Sequence, residues 1–254
     1  MNKIATSRYK FNATPRMSAN QIAEYCLASP TRRQAILKNA KYPPALVVNR
    51  YSVLRRIIVE YLSNDDRPAS LLEDARIRFL RDAEAASSNY LKDQATSCLE
   101  ALSAFRTLAG SSFIRETRFR EVEAVRTPLM IHGVDVSVKL DALTSVADAS
   151  AVGGAILQIS KTLSSQLWRE DHGKTVASLV HSYLTANAPQ GTIDHRLCLA
   201  IDVFGQSVVR APGGFKRRQK DIEAACREIG ALWTRVPTPP GFEGWDDGAA
   251  TGDA

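Results

Sequence analysis

Residues 134–141 read Val-Asp-Val-Ser-Val-Lys-Leu-Asp, and their regular alternation decides the fold class. Apolar side chains stand at every second position from Val134 to Leu140, and polar or charged side chains fill the positions between them. Successive side chains of a β-strand point to opposite faces, so this pattern predicts a strand with one buried and one polar face. The predicted strand ends in a carboxylate, Asp141.

Further strand-like runs surround this stretch, and helical patterns follow them. We predict strands at 119–125, 129–132, 155–160, 197–204 and 207–210. We predict helices at 164–186 and 216–232. This mixture predicts an α+β domain, α/β-like in its order, with a mixed β-sheet flanked by helices.

The N-terminal half has the three- and four-residue spacing of amphipathic helices. We predict helices that begin after Ser18 and Ser29, and further helices at about 45–61, 69–84 and 86–108. The period changes near residue 110. We therefore divide the chain into four segments: a flexible basic arm (1–17), a helical bundle module (18–110), an α/β domain (111–234) and a disordered acidic tail (235–254).

The composition excludes several classes of protein. The chain has 254 residues, 44% hydrophobic and 24% charged, which is too apolar for wholesale disorder. No apolar run approaches the roughly 20 residues of a membrane-spanning helix, so we expect no membrane partner. Four scattered cysteines and no signal-peptide pattern favour reduced thiols and a cytoplasmic location.

Two short motifs carry the chemical interest of the C-terminal half. Gly133 leads to Val138-Lys-Leu-Asp141, and Ile159-Ser-Lys161-Thr162 follows an apolar run. Tyr183 stands in the predicted helix after the second motif. This arrangement resembles the PD-(D/E)XK nuclease superfamily, in particular its RecB-like and CRISPR-adaptation exonuclease branch. The resemblance covers about a third of the chain.

The resemblance implies a bacterial protein with a restriction-endonuclease-like fold and metal-dependent phosphodiester hydrolysis. It implies that Asp141 binds Mg²⁺ or Mn²⁺ and that Lys161 steers the attacking water. The chemistry agrees with these residue types, because hard cations prefer carboxylate oxygens and a lysine offsets charge on phosphoryl oxygens. An acid at the end of a strand is also an ordinary turn residue, and a lysine before a helix is also an ordinary loop residue.

The second motif departs from the family pattern, because Ile159 stands where a second carboxylate is expected. The neighbouring residue Gln158 has a side-chain oxygen that is an alternative metal ligand. In a regular strand, however, Gln158 shares a face with Ser160 and not with Lys161. Glu121 or Glu123, on another predicted strand, is an alternative source of the second metal ligand. The histidines, His172 among them, have no partner at a revealing spacing.

Basic residues indicate a polyanionic partner. The chain has 33 Lys and Arg against 27 Asp and Glu, a net charge of +6. A basic cluster surrounds the start of the last predicted helix, and its expected nucleic-acid contacts are Arg210, Lys216, Arg217, Arg218 and Lys220. In the tail, Phe242 and Trp245 suggest a peptide that docks on a protein partner.

Three functions remain open at this point. The first is a nuclease that binds DNA or RNA and hydrolyses it with Asp141, Lys161 and Gln158. The second is a catalytically inactive nucleic-acid-binding or assembly protein, in which Ile159 marks the lost site. The third is an α+β protein-interaction module with a docking tail.

Overall fold

The computed structural model describes residues 8–46, 49–122, 127–146, 150–161, 165–187 and 192–242. In chain order its helices are α1 (Ala19–Leu27), α2 (Pro30–Lys41), α3 (Ser52–Ser63), α4 (Ala69–Glu84), α5 (Asn89–Ala109), α6 (Ser112–Glu116), α7 (Gln166–Asn187) and α8 (Lys216–Trp233). Its strands are β1 (Arg16–Ser18), β2 (Arg118–Glu121), β3 (Leu129–Ile131), β4 (Val134–Ser137), β5 (Ala142–Ser145), β6 (Ala151–Gln158), β7 (Thr192–Asp202) and β8 (Ser207–Arg210). The chain is of the α+β class, as the sequence predicts.

The larger sheet has five strands in the order β2-β5-β6-β7-β8. Its central pair, β6 and β7, is parallel, and α7 is the crossover that such a pair requires. The last six residues of each central strand are buried, because helices cover both faces of the sheet. The carboxyl ends of the two strands meet at one edge, where Gln158 pairs with Asp202.

Two hydrophobic cores lie on the two faces of this sheet. One contains apolar side chains of α1, α2, α7 and α8, with Trp233 among the largest. The other contains apolar side chains of α3, α4 and α5, with Phe105 at its centre. Each core draws on both halves of the chain, so the change of pattern near residue 110 marks a change of secondary structure and not a boundary between cores.

The stretch 134–141 is a strand only in its first half, whereas its alternation predicts a strand over its whole length. Val134–Ser137 is β4, at the centre of a three-stranded sheet of order β1-β4-β3, whereas β5 begins at Ala142 in the five-stranded sheet. The N-terminal segment completes the smaller sheet, because Arg16–Ser18 pairs in parallel with β4 over Asp135–Ser137. Local alternation cannot reveal a partner that lies more than one hundred residues away.

Residues 8–17 are packed against the protein, which corrects the expected flexible arm. Met17 is buried in the first core, and the indole N–H of Trp233 donates to the backbone carbonyl of Asn12 (3.1 Å). Ser18 then begins α1 through a capping box, because its hydroxyl accepts from the Gln21 N–H while the Gln21 side chain accepts from its backbone. Residues 1–7 lie outside the described part.

The start of the expected tail is also packed. The Phe242 ring lies 5.8 Å from the Phe11 ring and 5.0 Å from the Tyr42 ring, centroid to centroid. Phe242 is therefore engaged by its own chain. Trp245 and the other residues of 243–254 lie outside the described part, and the docking peptide stays a prediction.

The other predicted boundaries differ by a few residues. The helix expected from residue 45 begins at Ser52, and the strand expected to reach residue 125 is described only to Glu121. The helix 69–84 and the strand 207–210 are confirmed. Among the described helices, none is both long and apolar enough to cross a lipid bilayer.

Gly173 allows α7 to lie against β8, and this contact gives a stability prediction. A Cβ at Gly173 would stand 2.9 Å from two side-chain carbons of Val209, whereas a Cβ at Gly230 of α8 would meet its nearest atom at 3.8 Å. We expect Gly173→Ala to destabilise the protein by about 1–2 kcal/mol through overpacking. We expect Gly230→Ala to stabilise it by about 0.5–1 kcal/mol, because alanine is the better helix former. Urea denaturation measures the free energy of unfolding of both variants. A Gly173→Ala protein as stable as the wild type would contradict the packing argument.

Candidate functional site

The candidate site is a cleft at the carboxyl edge of β6, between α1, α3 and α7. It has two adjoining parts of about 500 and 450 Å³, and Asn20, Gln21 and Arg55 line both. Gln158, Trp168 and His172 line the first part, and Asp141 and Lys139 line the second. The carboxyl ends of parallel strands are a common place for ligands in mixed sheets.

Arg55 of α3 holds Asp141 at the centre of this cleft. Its Nη1 donates to both carboxylate oxygens, at 2.8 Å to Oδ1 and 2.6 Å to Oδ2. Its Nη2 donates to the backbone carbonyl of Leu157 (2.8 Å), and the Leu157 N–H donates to Asp141 Oδ2 (2.7 Å). The guanidinium therefore fills the space between the carboxylate and the carbonyl.

The strand register explains why these groups meet. Ala142 pairs with Ala155, and β5 starts at Ala142, so the backbone of Leu157 lies beyond the end of that ladder. The Asp141 carboxylate accepts the N–H and Arg55 supplies a donor for the carbonyl, so both groups of Leu157 are satisfied. Asp141 thus completes the sheet edge, in agreement with the ordinary role of an acid at a strand end.

Gln158 belongs to a second, neutral network beside this pair. Its amide nitrogen donates to Asn20 Oδ1 (3.0 Å) and to His172 Nδ1 (3.0 Å). His172 Nε2 then donates to the backbone carbonyl of Asn20 (3.2 Å). This pattern requires neutral His172, and burial lowers the pKa of that imidazole in the same direction.

Helix α7 contributes two ring side chains, Trp168 and His172, to the lining of the first part of the cleft. The Trp168 ring stacks on His172 with 4.9 Å between the centroids and 20° between the planes. The residue after Trp168 is Arg169, whose Nη1 donates to both oxygens of Asp202 at 2.9 and 2.8 Å. Asp202 is almost fully buried and also accepts the Gly205 N–H (2.9 Å), so its carboxylate is fully engaged.

Lys161 lies on the other side of the sheet from Asp141. Its ammonium forms an ion pair with Glu100 of α5 and stands 5.8 Å from the centre of the Phe204 ring. Gln158 contacts α1 and α7, so Gln158 and Lys161 occupy opposite faces, as strand alternation predicts. The structure therefore does not bring Lys161 to the carboxylate that it would assist.

The two glutamates are not brought to Asp141 within the described part. Glu121 pairs with Ala142, so its side chain lies on the face of the sheet opposite to Asp141, and it is exposed. Glu123 lies outside the described residues. Tyr183, the remaining motif residue, is buried in the first core.

This arrangement does not fit a divalent cation. The Asp141 carboxylate accepts hydrogen bonds from Arg55 and Leu157, and Gln158 presents its amide nitrogen to Asn20 and His172. Mg²⁺ and Mn²⁺ require several oxygen ligands around a space that the ion can occupy. Here the Arg55 guanidinium occupies the space between the Asp141 carboxylate and the Leu157 carbonyl. Across the described ranges, no three His, Cys, Asp and Glu side chains are grouped to hold a metal ion.

The expected nucleic-acid contacts have different environments. Lys216, Arg217 and Lys220 are exposed on the first turns of α8, where no acidic residue stands in the first turn. Arg218 is turned toward α7, where it pairs with Asp171 (3.1 Å). The Arg210 guanidinium lies 4.2 Å from the centre of the Phe113 ring. We name the three exposed residues Lys216, Arg217 and Lys220 the α8 basic cluster.

Sequence reasoning missed the partners that define the cleft. Arg55 stands out in the sequence only as half of an Arg-Arg pair, and its partner is 86 residues away. His172 was expected to be isolated, but it is buried and bonded to Gln158. Asp202 had a usable signal, since it follows the apolar run Leu197–Ile201 as Asp141 follows its own strand pattern.

Comparison with known protein families finds no family that matches the chain, and comparison with characterised proteins finds no significant relative.

The Arg55–Asp141 pair gives a prediction about coupling. Its side chains are 32% and 12% exposed, so loss of either partner leaves a poorly solvated charge. We expect Arg55→Met and Asp141→Asn each to lower the free energy of unfolding by about 1–3 kcal/mol. The double variant should cost at least about 1 kcal/mol less than the sum. Additive losses in chemical denaturation would show that the two groups are independent.

The buried imidazole of His172 gives a pH prediction. The folded-state pKa lies below the ordinary value near 6.5, so the unfolded chain binds more protons below that pH. We expect its stabilising contribution to be complete above about pH 6.5 and to decline as the pH falls, with at most about 1.4 kcal/mol per pH unit. Unfolding measurements from pH 7.5 to 5 should give a smaller slope for His172→Gln. Burial also lowers the pKa of His181, but His181 is present in both proteins and contributes equally to both slopes. An unchanged slope would therefore contradict the role of His172 in the pH dependence.

Proposed function

We propose that this chain is a nucleic-acid-binding protein built on a PD-(D/E)XK-like domain that does not hydrolyse its ligand at Asp141. One observation carries the proposal: the Arg55 guanidinium occupies the space between the Asp141 carboxylate and the Leu157 carbonyl. The geometry thus favours the catalytically inactive alternative over the nuclease.

The sheet supports the family resemblance that the motifs suggest. The antiparallel strands β2, β5 and β6 are followed by the crossover helix α7 and the parallel strand β7. The first motif ends at Asp141. The next residue, Ala142, pairs with Ala155 of β6, which lies three residues before Gln158. The two motif positions are therefore neighbours in space although they are far apart in the sequence.

The chemistry of the site argues against hydrolysis. An attacking water needs a cation or a base beside the phosphodiester. Arg55 already compensates Asp141, and Lys161 is paired with Glu100 on the opposite face. His172 is buried and held neutral by donors and acceptors of its own network, so it is not free to accept a proton from water.

The charge distribution supports a nucleic-acid ligand. The net charge is +6, and the α8 basic cluster lies at a helix N-terminus, where the helix dipole adds positive potential. Placing three cations there costs stability, so a ligand with negative charge offsets that cost. Phosphate contacts of this kind bind without strong sequence preference.

The direct test measures binding and cleavage on the same substrates. Single- and double-stranded DNA and RNA are incubated with the full chain in Mg²⁺ or Mn²⁺, beside Asp141→Asn and Lys161→Gln. We expect binding that weakens steeply with salt and no cleavage that depends on Asp141. Metal-dependent cleavage that disappears in Asp141→Asn would overturn the proposal.

A triple variant of the α8 basic cluster tests the interface. We expect Lys216→Gln/Arg217→Gln/Lys220→Gln to bind nucleic acid at least tenfold more weakly. The slope of log K against log salt concentration should be smaller in magnitude by about 2 to 3, because each lost phosphate contact removes a little under one from that slope. The matched control removes the same charge from α4 and α5, as Arg78→Gln/Arg81→Gln/Lys92→Gln. Equal losses in both variants would mean that net charge alone causes binding.

A further inference from the structure

A large cavity lies away from Asp141, on the side of the sheet that α4 and α5 cover. It has about 910 Å³ and is bounded by α3, α4, α5, α6 and the start of β2. This volume falls in the range of small-molecule sites in proteins. Nothing in the sheet-edge site uses this cavity.

Four arginines line the cavity and give it an excess of positive charge. They are Arg67, Arg106, Arg115 and Arg118, and the acidic residues of the lining are Asp65 and Asp66. The lining therefore has two more positive than negative side chains. Arg106 pairs with Glu73 (3.2 Å), whereas Arg115 and Arg118 are exposed and form no ion pair within the described ranges.

Arg67 gives the cavity a fixed positive group. Its two terminal nitrogens donate to the backbone carbonyls of Ile114 and Thr117, and its guanidinium lies 5.5 Å from the centre of the Phe119 ring. Its backbone has a φ of 43°, in the left-handed region that costs a non-glycine residue energy. Its Nε is buried and has no hydrogen-bond partner among the described groups. A desolvated cation of this kind is stabilised by an anion nearby.

We propose that this cavity binds a phosphate monoester, with Arg115 and Arg118 as its direct contacts. Guanidinium groups recognise phosphate oxygens through paired N–H donors, and Arg115 and Arg118 are two exposed arginines in the lining of one cavity. Arg67 is held by two neutral backbone carbonyls and supplies positive potential, whereas the charge of Arg106 is compensated by Glu73. This inference goes beyond the proposed function, because it uses neither the sheet edge nor the α8 basic cluster.

Calorimetric titration of the full chain at low salt tests the site. The probes are inorganic phosphate, adenosine 5′-monophosphate and adenosine, and the variants are Arg115→Gln, Arg118→Gln and Arg120→Gln. We expect both phosphate probes to bind with a millimolar or lower Kd and adenosine not to bind. Each cavity variant should weaken binding about tenfold, and Arg120→Gln, on the same strand as Arg118 but outside the lining, should not.

Removal of an opposing charge gives an independent readout. Asp66→Asn should tighten binding of inorganic phosphate, since it removes a negative charge from the lining. Failure of the wild type to bind either phosphate probe, or equal binding by Arg115→Gln, Arg118→Gln and the wild type, would overturn the proposal. The triple variant of the α8 basic cluster should keep this binding, so failure here is distinct from failure of the nucleic-acid interface.

The phosphate has two possible sources, a free nucleotide or the end of a nucleic-acid strand. Single-stranded 12-mers with a 5′-phosphate or a 5′-hydroxyl distinguish them. Tighter binding of the phosphorylated strand than of the nucleotide, lost in Arg115→Gln, assigns the site to a strand end. Tighter binding of the nucleotide assigns it to a small ligand, and both results support the phosphate site.

Discussion

The Arg55 guanidinium bridges a helix and a sheet that the chain builds from distant segments. It joins α3 to the Asp141 carboxylate and to the backbone of Leu157, at the place where the β5 ladder has ended. Without it, a carboxylate and a carbonyl would face each other in a partly buried cleft. The same contact fixes the ends of β5 and β6, and therefore the positions of both motifs at the sheet edge.

Chemistry at this edge follows from how its polar groups are satisfied. Asp141 is matched by a cation of the chain, and Asp202 is matched in the same way by Arg169. Gln158 and His172 bond to each other and to Asn20. A hydrolytic centre needs groups that change partners during the reaction, whereas these groups have partners already. The nucleic-acid binding that we propose needs no such change, and the exposed cations of α8 carry a charge that suits it.

The sequence predicted those features that depend on local pattern. The helix at 69–84, the strand at 207–210 and the serine cap of α1 follow from spacing within one segment. The end of the strand at Ser137 did not, because β4 pairs with residues 16–18 in a separate sheet. Asp141 and Gln158 were identified as site residues, but their partners Arg55 and Asn20 come from helices that only the tertiary fold brings near. An acid at a strand end gives no sign of whether a metal or an arginine will meet it.

We infer that Arg55, and not a metal ion, neutralises Asp141. The most direct measurement is a titration with Mn²⁺, followed by electron paramagnetic resonance, of the wild type and Asp141→Asn in the presence and absence of a DNA duplex. We expect the two proteins to bind the same amount of Mn²⁺ under each condition. One equivalent of Mn²⁺ that is bound by the wild type and lost in Asp141→Asn would contradict this inference and would favour the nuclease function instead.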